Sequence, residues 1–171
     1  EKFVRGHGWR FNFLGGSLAS QASIDAKGLQ PDYYNYLVGD GKSSATNVRN
    51  FNELLYKNVY PNIHVRYYTS AEGDFENDVT VRPGGNAAKV KLQIEGIEQL
   101  RIGDNGELLF NTTVGEISIP APISFLMNAE GKRTSIDVKY QLAGKNEITF
   151  IVPNYDNTQT LVIDPIVLRW A

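Results

Sequence analysis

Apolar side chains recur at every second position through most of this chain. Trp9, Phe11 and Phe13 alternate with Arg10 and Asn12, and His7 shares their parity. Ile63, Val65 and Tyr67 alternate with His64, Arg66 and Tyr68, and Val79 and Val81 with Asp78, Thr80 and Arg82. The same rhythm runs through Val90, Leu92 and Ile94, through Ile136, Val138, Tyr140 and Leu142, and through Ile148, Phe150 and Val152. A period of two sends successive side chains to opposite faces of an extended chain. Each run therefore predicts a strand with one face in a core and one toward water, as antiparallel sheets permit.

Turn residues punctuate these runs at short intervals. Gly103-Asp104-Asn105-Gly106 separates Leu100-Arg101-Ile102 from Leu108-Leu109-Phe110 and predicts a hairpin, because glycine and asparagine supply the positive φ that tight turns need. Asn128 to Lys132, Ala143 to Asn146 and Pro83 to Asn86 read as further turns. Gly15 to Gln30, rich in Gly, Ser and Ala, is expected to be a long loop, and Gly39 to Ser44 another. Phe51 to Val59 is the best helical window and predicts at most a turn or two of helix before Tyr60-Pro61. Leu161-Val162-Ile163 and Ile166-Val167-Leu168 flank Pro165 and are too apolar to lie outside a sheet. The expectation is one all-β domain over residues 1–171, an antiparallel β-sandwich or curled sheet pair of roughly a dozen short strands. No fixed-period repeat suggests a propeller or solenoid.

Composition narrows the function. The chain has 171 residues, no cysteine and a formal net charge of −2. A domain of that size buries roughly 70% of its unfolded surface, enough to fold without a disulfide or metal staple. Its Lys and Arg residues are scattered rather than clustered, which excludes the basic surface a nucleic-acid partner requires. No stretch approaches the ~20 apolar residues of a membrane helix, so no membrane insertion is expected.

Candidate chemistry is sparse. His7 and His64 have no second His, Cys or carboxylate at metal-ligand spacing, and each reads as a partly buried, hydrogen-bonded ring. Asp104, Asn105 and Glu107 resemble part of a calcium loop, yet the flanking pattern is strand and a hairpin turn explains the same residues. There is no Gly-x-Ser-x-Gly elbow, phosphate loop or dinucleotide fingerprint, and no pair of carboxylates can be matched from sequence. The chain is expected to be no enzyme, with no cofactor and no metal. Tyrosines are the remaining candidates: Tyr33, Tyr34 and Tyr36 lie together, followed by Tyr56, Tyr60, Tyr67 and Tyr68. Alternation places Tyr34 and Tyr36 on one face and Tyr33 and Leu37 on the other, Tyr67 inward and Tyr68 outward. Tyr34, Tyr36 and Tyr68 are thus the candidate ligand-binding residues, able to stack on a sugar or anchor a protein.

Several segments in order carry a resemblance. They are His7-Gly8-Trp9-Arg10-Phe11-Asn12-Phe13, Tyr33-Tyr34-Asn35-Tyr36-Leu37-Val38-Gly39, Asn47-Val48-Arg49, Tyr56-Lys57-Asn58-Val59-Tyr60-Pro61-Asn62-Ile63, Val81-Arg82-Pro83-Gly84 and Leu161-Val162-Ile163-Asp164-Pro165. Together they resemble the uncharacterised N-terminal β domain found ahead of β-propeller-type repeats in extracellular proteins of Bacteroidetes, including type IX secretion and gliding-motility-associated surface proteins. The resemblance implies a secreted or cell-surface location and a domain excised from a larger protein. It brings no catalytic residues. Three functions follow as expectations: a structural or adhesin-like interaction module that caps or presents neighbouring domains of the parent polypeptide or another surface protein; a carbohydrate-binding module using the tyrosine-rich strands, with a glycan as partner; and, last, a hydrolase.

Overall fold

The computed structural model describes residues 5–17, 24–39 and 43–168, the last four as backbone only. Fourteen strands follow one another: β1 (Arg10–Phe13), β2 (Ile24–Tyr36), β3 (Ala45–Tyr60), β4 (Ile63–Thr69), β5 (Phe75–Val81), β6 (Leu92–Glu95), β7 (Glu98–Ile102), β8 (Leu108–Thr112), β9 (Gly115–Ile119), β10 (Ile123–Met127), β11 (Arg133–Ser135), β12 (Lys139–Gly144), β13 (Glu147–Ile151) and β14 (Thr160–Leu168). The chain is all-β, as the alternation predicts, and every strand pairing is antiparallel. A seven-stranded sheet has the order β11-β10-β14-β5-β4-β3-β2, a four-stranded sheet β1-β6-β13-β12, and a small third sheet β7-β8-β9.

The inward faces of all three sheets meet in a shared core. Ile63 and Val65 of β4, Val79 and Val81 of β5, and Leu161 and Ile163 of β14 are closed to solvent from one side. Leu92 and Ile94 of β6, Ile148 and Phe150 of β13, and Leu108 and Phe110 of β8 meet them. Those in β4, β5, β6 and β13 are the positions the period of two marks as inward. Burying a residue such as Ile or Phe contributes about 1.5–3 kcal/mol relative to leaving it exposed, so the alternation fixes the register. The Tyr60 hydroxyl ties the layers by donating to the Leu14 carbonyl at 2.8 Å, and the Thr149 hydroxyl donates to the Val90 carbonyl at 2.8 Å.

Four expectations need correction. Phe51 to Val59 is not helical; it lies within β3, paired with β2 on one side and β4 on the other. Local propensity loses there to two ladders of cross-strand hydrogen bonds. The expected loop of Gly15 to Gln30 holds the first seven residues of β2, while residues 18–23 lie outside the described residues. Only the last four residues of the His7–Phe13 run form strand. Ile136 to Val138 also leave the ladder, although Ile136 packs on the core and Val138 is buried, because the chain crosses there from the seven-stranded sheet at β11 to the four-stranded sheet at β12.

Tight turns explain why β3 reverses where it does. Pro61 and Asn62 join β3 to β4, with Asn62 at φ 58°, a proline and an asparagine in the order a type II turn asks for. The apolar tail is part of the sheet, as predicted: β14 runs between β5 and β10, with a register shift between Ile163 and Ile166 around Pro165.

Deleting residues 160–171 should therefore abolish cooperative urea unfolding, since β14 joins β10 and β11 to β5 in the sheet; an unchanged transition would show β14 to be dispensable. Phe110→Ala should cost about 3–5 kcal/mol by the same measurement, whereas Phe51→Ala, on an exposed position, should stay within about 1 kcal/mol.

Candidate functional site

The ladder between β3 and β4 stops at Glu53 opposite Tyr68, but β3 and β2 continue. Residues 45–52 of β3 extend past the sheet as a ribbon of two strands, roughly 26 Å long at the usual rise per residue. Leu29 faces Phe51, Tyr33 faces Arg49 and Tyr34 faces Val48 along it. Ion pairs anchor its base, Lys27 to Glu53 at 3.0 Å and Lys57 to Asp25 at 2.5 Å. Near the tip the Asn47 amide donates to Asn35 Oδ1 at 2.8 Å, and the Val38 amide donates to Ser44 Oγ at 3.0 Å. Leu29, Tyr33, Tyr34, Tyr36, Leu37, Val38 and Phe51 all stand exposed on this element.

Tyr34 and Tyr36 are 56% and 57% exposed, and their rings lie 6.4 Å apart at 38°. They share a face, as expected. Tyr33 sits opposite Arg49, whose neighbour Val48 sits opposite Tyr34, so Tyr33 points to the other side of the ribbon. Tyr68 is elsewhere. It pairs with Glu53, about 16 Å along β3 from Val48 and on the opposite face by alternation. The three candidate tyrosines therefore do not assemble into one surface.

Tyr68 instead belongs to a polar network on the outward face of β4, β5 and β14. The Arg66 guanidinium lies 4.0 Å from the centre of the Tyr68 ring and closes that face to a ligand. Arg66 Nε donates to Asp78 Oδ2 at 2.9 Å, and its Nη2 donates to the same oxygen. Arg66 also approaches Glu53 at 3.6 Å. Burial pushes the Asp78 carboxyl above its ordinary value, an effect larger than the pull of Arg66 in the other direction. Burial, with Glu76, Asp78 and Asp164 nearby, likewise raises the Tyr68 hydroxyl. Asp164 sits at the β14 register shift, where burial first and then the negative fields of Asp78 and Glu76 push its carboxyl up to about 6. Its Oδ1 is buried with no hydrogen-bond partner among the described residues. The inward Tyr67 is half-buried, with its hydroxyl pushed up to about 12 by burial.

Sequence reading missed this network. Arg66 and Tyr68 on one strand and Glu76 and Asp78 on the next share the outward parity, which could have signalled half of it. Asp164 could not be added without knowing that β14 lies beside β5.

The two histidines share no partner, and each ring is hydrogen-bonded within the fold. His7 Nε2 lies 2.5 Å from the Gly96 carbonyl and Nδ1 2.9 Å from Thr113 Oγ1, which pins the N-terminal segment to the β8–β9 turn. His64 Nδ1 accepts the Asn58 amide at 2.9 Å, satisfying a bulge in β3 where Asn58 has φ 51°. Burial lowers the His64 pKa, keeping the ring neutral for that role. In the β7–β8 turn Glu107 Oε2 accepts the Asn105 amide at 2.9 Å, so this carboxylate closes the hairpin. Among the described residues no three His, Asp or Glu side chains are placed to hold a metal ion.

The chain belongs to a family described as Domain of unknown function (DUF7948), whose model matches residues 1–166. No curated protein and no solved structure matches it.

The network makes stability depend on pH. An unfolded Asp164 titrates near 3.8 and the folded one near 6. Below the lower value both states hold the proton. Between the two only the folded state does, so stability falls as pH rises through that window and the loss is complete above it. Asp164→Asn should stabilise the protein at pH 8 by about 1–2 kcal/mol, after discounting for solvent screening of a half-exposed group, and the gain should vanish near pH 4. Urea melts of both proteins across pH check this; a gap independent of pH would show that Asp164 is not the titrating group.

Proposed function

We propose that this domain is a non-catalytic interaction module of a secreted or cell-surface bacterial protein, and that its β2–β3 ribbon seats a neighbouring domain of the same polypeptide. One observation carries the reading: a two-stranded extension with large apolar side chains exposed on both faces. A two-stranded hairpin is marginal in water by itself. Contiguous exposed apolar surface beyond a few hundred Å2 marks an interaction site. The seven side chains are divided between the two faces, and a partner covering both would bury on the order of 800 Å2, the contribution of one side of a standard protein interface.

The chemistry fits polypeptide better than sugar. Leu29, Leu37, Val38 and Phe51 have no hydrogen-bonding groups for hydroxyls, and the tilted Tyr34–Tyr36 pair with Tyr33 on the reverse face gives no flat platform. The tyrosines supply rigid amphipathic area of the kind enriched at protein contacts. The extracellular location rests on the ordered segments, from His7-Gly8-Trp9 to Ile163-Asp164-Pro165, that resemble domains preceding repeats in surface proteins.

Hydrogen exchange on the parent polypeptide and on the isolated domain tests the proposal. Amides of residues 24–36 and 45–52 should be slower by at least about tenfold in the longer protein, a gain of ~1.4 kcal/mol in local protection. Tyr34→Ser combined with Phe51→Ser should remove that gain and leave the isolated domain's melting temperature unchanged. Equal exchange in both proteins would sink the reading.

A further inference from the structure

Away from the ribbon, a cleft of about 270 Å3 opens between the turn at Gly85–Ala88 and the segment Phe150–Asn157. Among the described residues no charged side chain lines it. Buried Phe150 and half-buried Val152 contribute apolar surface, and half-buried Tyr155, packed on the core, adds an aromatic wall. Asn86, Asn154 and Asn157 are the lining residues with amide side chains.

Both walls are held in place before any ligand arrives. On one side Asn86 Oδ1 accepts the Ala88 amide at 3.0 Å and caps the 3-10 turn Ala87–Lys89, and the Gly85 amide donates to the Arg82 carbonyl at 2.8 Å. A side chain at Gly85 would press on Val81 at 2.8 Å and on two backbone oxygens at 3.0 Å, so the turn has no room for one. On the other side Asp156 Oδ1 accepts the Thr158 amide at 3.0 Å and the Thr158 hydroxyl at 2.7 Å, closing the loop that carries Tyr155 and Asn157. The exposed side chains of Asn154 and Asn157 make no hydrogen bond among the described residues, and the capping bond leaves the Asn86 NH2 group available.

Size and chemistry together restrict the occupant. The cleft lies below the ~300 Å3 at which drug-sized pockets begin, which suits one small ring. An anion or cation would find no counter-charge, and a wholly apolar ligand would leave amide groups unpaired on desolvation. Asn154 and Asn157 each offer a donor and an acceptor together, and Asn86 a donor, the complement of neighbouring hydroxyls. A tyrosine ring accepts the C–H face of a pyranose. We infer that this cleft binds a single neutral sugar unit, free or at the end of a glycan. The site is independent of the ribbon and does not depend on the polypeptide partner proposed for it.

Amide chemical-shift titration of the domain with glucose, galactose, mannose, N-acetylglucosamine and neutral oligosaccharides of each, with glucuronic acid as charged contrast, tests the inference. At least one neutral sugar should move the amides of Gly85–Ala88 and Asn154–Asn157 with millimolar affinity. A tighter oligosaccharide than monosaccharide identifies a glycan end as the source, and equal affinities a free sugar. Tyr155→Ala should weaken binding at least about tenfold, equivalent to ~1.4 kcal/mol. Asn157→Asp, an exposed substitution that keeps the fold, should weaken it as well by placing a charge in the cleft. Overturning results are an absence of shifts with every neutral sugar, shifts that persist unchanged in the Asn157→Asp variant, or glucuronic acid binding as well as its neutral counterpart.

Discussion

Ile63 and Val65, Val79 and Val81, and Leu161 and Ile163 stack across three adjacent strands, and each is at most 1% exposed. Because the side-chain period of a strand is two, slipping any of β4, β5 or β14 by one residue would turn this whole set toward water and bring Arg66, Asp78 and His64 inward. That penalty sets the register of the central sheet, and the register sets nearly everything else. It places Arg66 opposite Asp78, brings the β14 register shift and Asp164 beside them, and positions His64 to accept the Asn58 amide. The polar network is thus a consequence of core packing, and it bears a cost. Asp164 carries a buried oxygen without a partner among the described residues, which burial and two neighbouring carboxylates oppose charging.

The same constraint decides what could be read from sequence. β4, β5, β6 and β13 each have one face in the core, and alternation marked their buried positions Val65, Val79, Ile94 and Ile148. The hairpin at Gly103–Gly106 was equally legible, because its turn residues carry their own geometry. β2 was not. Its residues beyond Asp25 are mostly exposed on both faces, so no selection for a period of two operates, and a run of Gly, Ser and Ala before it imitates a loop. The outer half of β3 shares that problem, and its inner half, crowded with Leu54, Leu55 and Tyr56, has apolar residues on both parities. Periodicity detects a strand through the asymmetry of its surroundings. An element without asymmetry is silent even when it is long.

Candidate residues follow the same division. The parity of Tyr34, Tyr36 and Tyr67 was accessible, and their facing agrees with it. The relation of Tyr34 to Tyr68 was not accessible, because it depends on how far β3 outruns β4. A cluster of tyrosines in sequence separates in space into a ribbon pair and a network member once that length is known. The network around Asp78 joins residues from Glu53 to Asp164, more than a hundred positions apart, and leaves no local signature.

The two edges of the seven-stranded sheet differ in how they resist the addition of another strand. β11 at one edge has only three residues, Arg133, Thr134 and Ser135, too short and polar to template another strand. β2 at the other edge has thirteen residues, the length at which edge-to-edge association becomes a hazard. It is interrupted by Gly28 at φ 66° and by Pro31, which has no amide hydrogen to offer, and the ladder to β3 shifts register between Leu29 and Tyr33. These features break the regular row of donors and acceptors that an added strand would need. The side chains above and below that row are untouched by the interruption. The backbone edge is guarded while both faces carry exposed apolar side chains, so in the proposed docking it is the faces of the ribbon, through side-chain complementarity rather than generic strand pairing, that would meet the neighbouring domain.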